Sequence, residues 1–259
     1  MTLEVLVSSV NRECDELIES MHLASDAVII NQGRQHEYTE RTKENYRIKY
    51  YGFCEKGVGL SRNNALLRAT GDIVLFSDED IVYDEGYREK VLKAFAENPG
   101  ADMLLFNFRV PKERQTYHID KKTKIHALNC GRYPTYSFAL RRERLHKCGV
   151  TYSLLFGGGA KYSAGEDSLF IKDCLRAGMK IYALPVELGC ELERESSWFR
   201  GYTEKFFFDR GVLYHFLYGR WAYLFGARFV LAKKSFMCKD VSAAKAWKLL
   251  KQGIKEGKR

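Results

Sequence analysis

Ser77-Asp78-Glu79-Asp80 sets three consecutive acids at the end of an apolar run, Ile73-Val74-Leu75-Phe76. Carboxylates where a buried strand ends do little for stability. Parallel α/β sheets, however, bind ligands just outside the carboxyl ends of their strands, where a phosphate-bearing ligand and a divalent cation could sit. In an extended D-x-D segment residues i and i+2 point the same way, so Asp78 and Asp80 could share one Mg²⁺ or Mn²⁺, or divide ribose and metal between them. Glu79 is then expected to face away as a bystander. The plainer reading is an acidic turn, since turns collect Asp.

Three other groups fall near strand ends. Ser8-Ser9-Val10-Asn11 offers small hydroxyl and amide groups that could contact a base or ribose, although such residues also make ordinary turns. Gly57-Val58-Gly59-Leu60-Ser61-Arg62 imitates the dinucleotide fingerprint of a nicotinamide-dependent oxidoreductase, with Asp78 at about the right distance. Against that, Arg62 stands where the third glycine should allow close helix packing, and the motif follows two earlier strands. Glu166-Asp167 begins a helix after a Gly-rich loop. Ser163-x-x-Glu166 reads as a capping box, which accounts for Glu166 and leaves Asp167 unexplained.

The elements that must position these groups alternate. Leu3–Val7 and Asp26–Ile30 read as strands around a short helical piece, Asp15–Met21. Arg47–Phe53 is a further strand, Ser61 caps a helix through Ala69, and Asp72–Ser77 is a buried strand. Asp84 caps a helix carrying Tyr87, Val91 and Phe95, and Ala101–Val110 returns as a strand. Residues 111–134, basic and poorly periodic, read as a hairpin or mobile loop over the strand ends. Tyr136–Leu140, a helix over 141–147, a helix from Gly165 to Ala177 and a strand Lys180–Leu184 complete the series. The alternation predicts an α/β domain over 1–195, a mostly parallel sheet with helices on both faces, followed by a C-terminal helical extension over 196–259.

Charge separates the same two parts. Residues 200–259 hold 14 Lys+Arg against 4 Asp+Glu, whereas the first 199 hold 28 against 29. A neutral body with a basic tail points to an anionic surface met at one end. Nucleic acid and anionic lipid both answer to that, and the apolar residues of the tail favour lipid. Leu213, Leu217, Trp221 and Leu224 fall on one face of a continuous helix, which suits an amphipathic segment lying in a membrane interface; docking of the tail on the core is the alternative. Arg220 and Arg228 interrupt the only long apolar stretch, so no transmembrane helix is expected. Seven cysteines at least 16 residues apart suggest neither zinc pairs nor a disulfide framework, and the six histidines show no zinc-hydrolase spacing. With no basic leader before Leu3, the protein is expected in the cytoplasm.

Taken in order, Lys56-Gly57-x-Gly59-Leu60-Ser61-Arg62-Asn63-Asn64-Ala65, Ala69-Thr70-Gly71-Asp72-Ile73, the D-x-D at 78–80 and Gly165-Glu166-Asp167 resemble the family-two glycosyltransferases of the GT-A fold over roughly residues 3–190. The resemblance implies that Asp78 meets the ribose or metal of a nucleotide-diphosphosugar and that Asp80 holds the Mn²⁺ or Mg²⁺. It implies further that Arg62 helps bind the nucleotide, that Ser8 and Asn11 lie in the loop contacting the base, and that Asp167, beside Glu166, is the general base of an inverting displacement. The family's Asp-Asp-Gly-Ser segment is replaced by Asn31-Gln32-Gly33, where Asn31 can still hydrogen-bond a uracil. The Q-x-x-R-W motif of processive synthases is absent, with Ser196-Ser197-Trp198-Phe199-Arg200 in a comparable place, so one sugar per encounter is expected. Trp198 and Tyr202 could stack an acceptor sugar. The expected activity is hexose transfer from a nucleotide-sugar donor to a glycan or lipid-linked acceptor of surface-polysaccharide assembly, at an anionic membrane and not on nucleic acid. A nucleotide-sugar or glycan binding protein without catalysis is the alternative.

Overall fold

The computed structural model describes residues 1–111, 115–192 and 201–258. Its elements in chain order are β1 Leu3–Val10, α1 Cys14–Ser20, β2 Asp26–Gln32, β3 Glu37–Lys43, β4 Tyr46–Phe53, α2 Val58–Arg68, β5 Ile73–Asp78 and β6 Ile81–Tyr83. There follow α3 Tyr87–Glu97, β7 Met103–Arg109, β8 Thr123–Lys124, β9 Phe138–Arg141, α4 Arg142–Cys148, α5 Glu166–Arg176 and β10 Ile181–Glu191. Three further helices, α6 Glu204–Tyr218, α7 Ala222–Met237 and α8 Ala243–Glu256, close the chain. The division expected at 195/196 falls outside the described residues, as does the Ser196–Arg200 segment with Trp198.

The sheet runs β3-β4-β2-β1-β5-β9-β7-β10-β6, with β8 on β10. Among the described strands six share one direction: β4, β2, β1 and β5 form a contiguous parallel block, and β7 and β10 a second parallel pair. The apolar runs of β1, β2 and β5 are buried on both faces because alternate residues point to opposite sides. Val5, Val7, Ile29 and Leu75 pack with Leu17 of α1 and Phe95 of α3. Leu6, Val28, Val74 and Phe76 pack with Ala65 of α2 and Phe170 of α5. Helices on both faces are thus a direct consequence of strands with no polar side.

Several expectations are corrected. An element not anticipated is β3, which pairs antiparallel with β4 and is largely exposed, as an edge strand can be. Gly57, and not Ser61, stands at the N-cap of α2; Ser61 lies buried inside the helix and donates to Ser8 Oγ at 3.0 Å. Gly86, not Asp84, precedes α3, and Asp84 pairs with Arg109 at 2.6 Å. The described part of 111–134 is no loose loop. Tyr117, Ile119, Ile125 and Tyr133 are buried, and the Asn107 amide bonds both the N–H and the carbonyl of Ile119 at 3.0 Å. β10 extends well past Leu184, its pairing with β7 slipping between Ala183 and Glu187 around Pro185, which has no N–H to give.

The tail departs furthest from expectation. The helical face drawn through Leu213, Leu217, Trp221 and Leu224 does not exist as one surface, because the chain turns through a short 3₁₀ segment at Gly219–Trp221. Leu213 and Leu217 are buried, while Trp221 and Leu224 are exposed. α6 packs on Phe156, Tyr162 and Leu169 of the sheet domain and on Leu250 and Ile254 of α8. Gly211 and Gly253 allow the α6–α8 crossing, since a Cβ on either would strike backbone of the facing helix. Among the described residues no helix is long and apolar enough to cross a membrane.

Candidate active site

Parallel pairing of β1 and β5 sets Ser8 opposite Asp78, at the ends of their strands. The loop after β5 is held by Glu79, whose Oε2 accepts from the Val10 N–H at 2.9 Å. Glu79 is therefore no bystander: it fastens the end of β1 to the acidic turn. Asp80 lies in that turn, half-buried, and its carbonyl accepts from the Leu192 N–H at 2.8 Å.

β9 brings in the next group. It runs antiparallel to β5, with Ala139 opposite Leu75 and Leu140 opposite Val74, so the residues just before it lie beside the carboxyl end of β5. Buried Thr135, in the 3₁₀ turn preceding β9, is delivered there from sixty residues downstream. α5 supplies Glu166 and Asp167 in its first turn, entered through Gly165 at φ 122°. The expected capping box is not formed. The Ser163 N–H and hydroxyl both donate to Asp209 of α6 at 2.9 Å, and Glu166 turns inward, its Oε2 accepting from the Gly165 N–H at 3.1 Å. Gly157, at φ 104°, leaves room for that carboxylate, for a Cβ would come within 2.8 Å of Glu166 Cδ.

Arg62 joins these pieces. Its side chain is 5% exposed; Nη2 donates to Asp78 Oδ1 at 3.0 Å, and Nη1 to Glu166 Oε1 at 3.1 Å and Asp167 Oδ1 at 3.2 Å. The guanidinium also lies 5.3 Å from the centroid of the Tyr152 ring, itself stacked on Phe170 at 4.0 Å. Burial works against the Arg62 charge, but three carboxylates around it hold it firmly protonated. Asp167 is pushed up to about 7, first by burial and then by the charge of Glu166, with Arg62 and the Thr135 hydrogen bond pulling the other way. Thr135 Oγ1 donates to Asp167 Oδ1, and the Tyr152 hydroxyl lies 3.3 Å from Thr135 Oγ1. Both contacts to Asp167 thus fall on Oδ1. Among the described residues Oδ2 carries no hydrogen bond, and 29% of the side chain remains exposed.

A carboxylate held on one oxygen, open on the other and titrating near neutrality is suited to accept a proton. Asp78 and Asp80 offer hard oxygen donors two residues apart, and Asp78, 33% exposed, is bonded to Arg62 through Oδ1. Among the described residues no three His, Cys, Asp or Glu gather closely enough to enclose a metal. Two carboxylates without a full protein cage fit Mg²⁺ or Mn²⁺, which commonly completes its shell with water and substrate phosphates.

The remaining expected residues lie farther along the same strand ends. Asn31 is buried, and its Oδ1 accepts from Ser9 Oγ at 3.1 Å and the Arg12 N–H at 3.0 Å, so its carbonyl braces the turn after β1. Asn11 adopts φ 53°, a conformation Asn tolerates, within that turn. Gln32, which sequence reasoning passed over, exchanges two hydrogen bonds with the backbone of Gly57, at 3.0 and 3.2 Å. Gly57 provides the φ of 126° at the start of α2 and Gly59 the close approach of the Ser153 carbonyl, which leaves the dinucleotide reading without its pyrophosphate loop. Thr135, Tyr152 and Asp209 carried no sequence signal, since their partners lie between 17 and 46 residues away.

A cavity of about 720 Å³ opens beside Asp167. Its walls are the Gly157–Ala160 loop, the first turn of α5, Tyr202 just before α6, and Lys205, Phe206 and Arg210 in its first two turns. The helical extension therefore completes the cleft and is not an appendage to it.

No curated protein matches the sequence. Solved structures do: S. aureus TarS 1–349 in complex with UDP-GlcNAc is 17% identical, with 93% of this chain covering 74% of that one at a TM-score of 0.61. A longer TarS chain is 16% identical at a TM-score of 0.62, and this chain covers 47% of its length. The mannosyltransferase PcManGT from Pyrobaculum calidifontis, in complex with GDP-Man and Mn²⁺, is 11% identical, with coverages of 99% and 86% and a TM-score of 0.56. The family model for glycosyl transferase family 2 matches residues 3–160, more than half of the chain and including Arg62, Asp78 and Asp80. With the GT-A sheet that these structures share, the match places this chain in glycosyl transferase family 2.

Proposed function

We propose that this chain transfers a hexose from a UDP-hexose to a hydroxyl of a glycan or lipid-linked oligosaccharide in surface-polysaccharide assembly, with inversion at the anomeric carbon. The observation that carries the reading is the Arg62 hub, which draws Asp78 of β5 and Asp167 of α5 to one buried guanidinium. Donor and acceptor functions must meet at such a point. Ser8, Asn11 and Asn31 border the base and ribose, and Asp78 and Asp80 would hold Mn²⁺ or Mg²⁺, which would supply positive charge to the leaving diphosphate. Asp167 Oδ2 takes the proton of the acceptor hydroxyl as its oxygen bonds to the anomeric carbon and the bond from that carbon to the diphosphate breaks. The products are the glycosylated acceptor and the nucleoside diphosphate. Thr135 and Arg62 keep Asp167 oriented through Oδ1. The strand ends hold the donor side, and the Gly157–Ala160 loop, the first turn of α5 and the described residues from Gly201 to Arg210 wall the acceptor side.

Turnover of UDP-, GDP- and dTDP-hexoses with Mn²⁺ tests this reading. Asp80→Ala and EDTA are each expected to lower the rate at least about a hundredfold, the scale at which positioned charge acts on a transition state. Full activity in EDTA would remove the metal role, and saturable binding with no turnover of any donor would favour a binding protein.

The outer face of α7 and of the 3₁₀ turn before it supports a place on the inner surface of the plasma membrane. Trp221, Leu224, Leu231 and Phe236 are exposed beside Arg220, Arg228, Lys233 and Lys234. That combination of apolar surface and cations suits an anionic interface. The triple substitution W221S/L224S/L231S, which touches no buried position, is expected to weaken binding to phosphatidylglycerol vesicles about tenfold or more while leaving the melting temperature within a few degrees. Unchanged partitioning would assign this face another partner.

A further inference from the structure

Resting on the glycosyl-transfer reading, we propose that the acceptor carries a phosphate close to the hydroxyl it presents, and that Arg210 receives that phosphate in the cavity beside Asp167. Ser8, Asn11, Asn31, Asp78 and Asp80 all lie outside the walls of this cavity, whereas Asp167 belongs to both sides. A donor held at the strand ends leaves the cavity to the molecule that gives its proton to Asp167.

The chemistry of the walls describes that molecule. The cations are Lys56, Lys205 and Arg210, and the acids are Glu166 and Asp167. Glu166 is already ion-paired with Arg62 behind it. Lys205 is paired with buried Asp209 at 2.6 Å, so its charge serves chiefly to hold α6 against the Ser163 turn. Arg210 differs. Its guanidinium lies 5.1 Å from the centroid of Phe206 and 5.5 Å from that of Phe229, held on two aromatic faces, and among the described residues no carboxylate pairs with it. An arginine stacked in this way is fixed in direction and keeps its planar fork for a ligand, which matches the oxygens of a phosphate. Tyr202 and Phe206 line the same cavity beside it. A cavity that sets a fixed guanidinium in one chamber with a base fits an acceptor carrying a phosphate far better than a neutral glycan.

Isothermal titration of the full chain, saturated with UDP and Mn²⁺, with hexose 1-phosphate, the neutral methyl hexoside and inorganic phosphate tests the assignment. Hexose 1-phosphate is expected to bind at least tenfold more tightly than the methyl hexoside, with the preference lost in Arg210→Gln and kept in Arg210→Lys. Should Arg210→Gln fail to fold, the salt dependence of the wild-type preference reads the same charge: it is expected to fall severalfold as ionic strength rises. Equal affinity for charged and neutral sugars, or a preference untouched by Arg210→Gln, overturns the proposal. So does competition between hexose 1-phosphate and UDP, which would assign Arg210 to the donor diphosphate. Displacement of hexose 1-phosphate by phosphatidylglycerol vesicles would make this a headgroup site and equally overturn it. The titration without nucleotide reads the cavity alone, so a chain that binds no nucleotide would sink the donor reading while this one still stands or falls on its own.

Discussion

Asp167→Asn is expected to abolish transfer, lowering kcat by about 10²–10⁴ or more, the usual contribution of a positioned general base. The variant keeps the size of the side chain and an oxygen to accept from Thr135 and Arg62, so the protein should remain folded. The pH dependence carries the sharper test. Burial and the neighbouring Glu166 push the Asp167 carboxyl up to about 7, so the fraction able to accept a proton falls below that pH. The wild-type rate should rise with pH to a plateau above about 7.5, and residual activity of the variant should lack that limb. Stability moves the other way. A carboxyl whose folded pKa is raised favours the folded state while protonated, and that contribution is lost as pH rises from about 4 through about 7. Asn in its place carries no charge to bury, so Asp167→Asn should be at least as stable as wild type at pH 8. A variant that melts well below wild type at pH 8 would contradict the raised Asp167 carboxyl, and one that retains near-normal turnover would remove Asp167 as the base.

The parts of this site legible in the sequence are those whose signal is local. Apolar runs reveal β1, β2 and β5, because a strand buried on both faces must be largely apolar. The acidic turn declares itself by standing where such a strand ends, and the Glu166-Asp167 pair by opening a helix after a Gly-rich loop. What the sequence hides comes from the antiparallel insertion. β9 enters the sheet between β5 and β7, and no pattern within Thr135-Tyr136-Ser137 tells that their turn lands beside Asp167. Glu79 was misread for a related reason: strict alternation ends with the strand, and in the following turn its carboxylate swings back to Val10. The Ser163–Glu166 capping box failed because two stronger partners, Asp209 and Arg62, compete for its members. The tail misled because a hydrophobic face was drawn through Gly219, where the helix stops.

Arg62→Leu should be the most damaging single change to stability, about 3–5 kcal/mol by denaturant titration at pH 8, the range found when one partner of a buried ion pair is removed. The guanidinium is the common partner of Asp78, Glu166 and Asp167, and its loss would leave three carboxylates facing one another where burial already disfavours charge. The deficit should shrink as pH falls from 8 toward 5, because the proton that Asp167 takes near 7 removes one of the facing charges. An equal deficit at both pH values would mean that lost packing on Tyr152, and not charge, is responsible. Arg62→Lys separates structure from function at the same position. One ammonium restores a positive charge and hence part of the stability, but it has no planar fork to hold Asp78 on one side and Glu166 with Asp167 on the other. The Lys variant should therefore fold more firmly than the Leu variant and still transfer poorly, since the donor-side and acceptor-side carboxylates would no longer be held to one another.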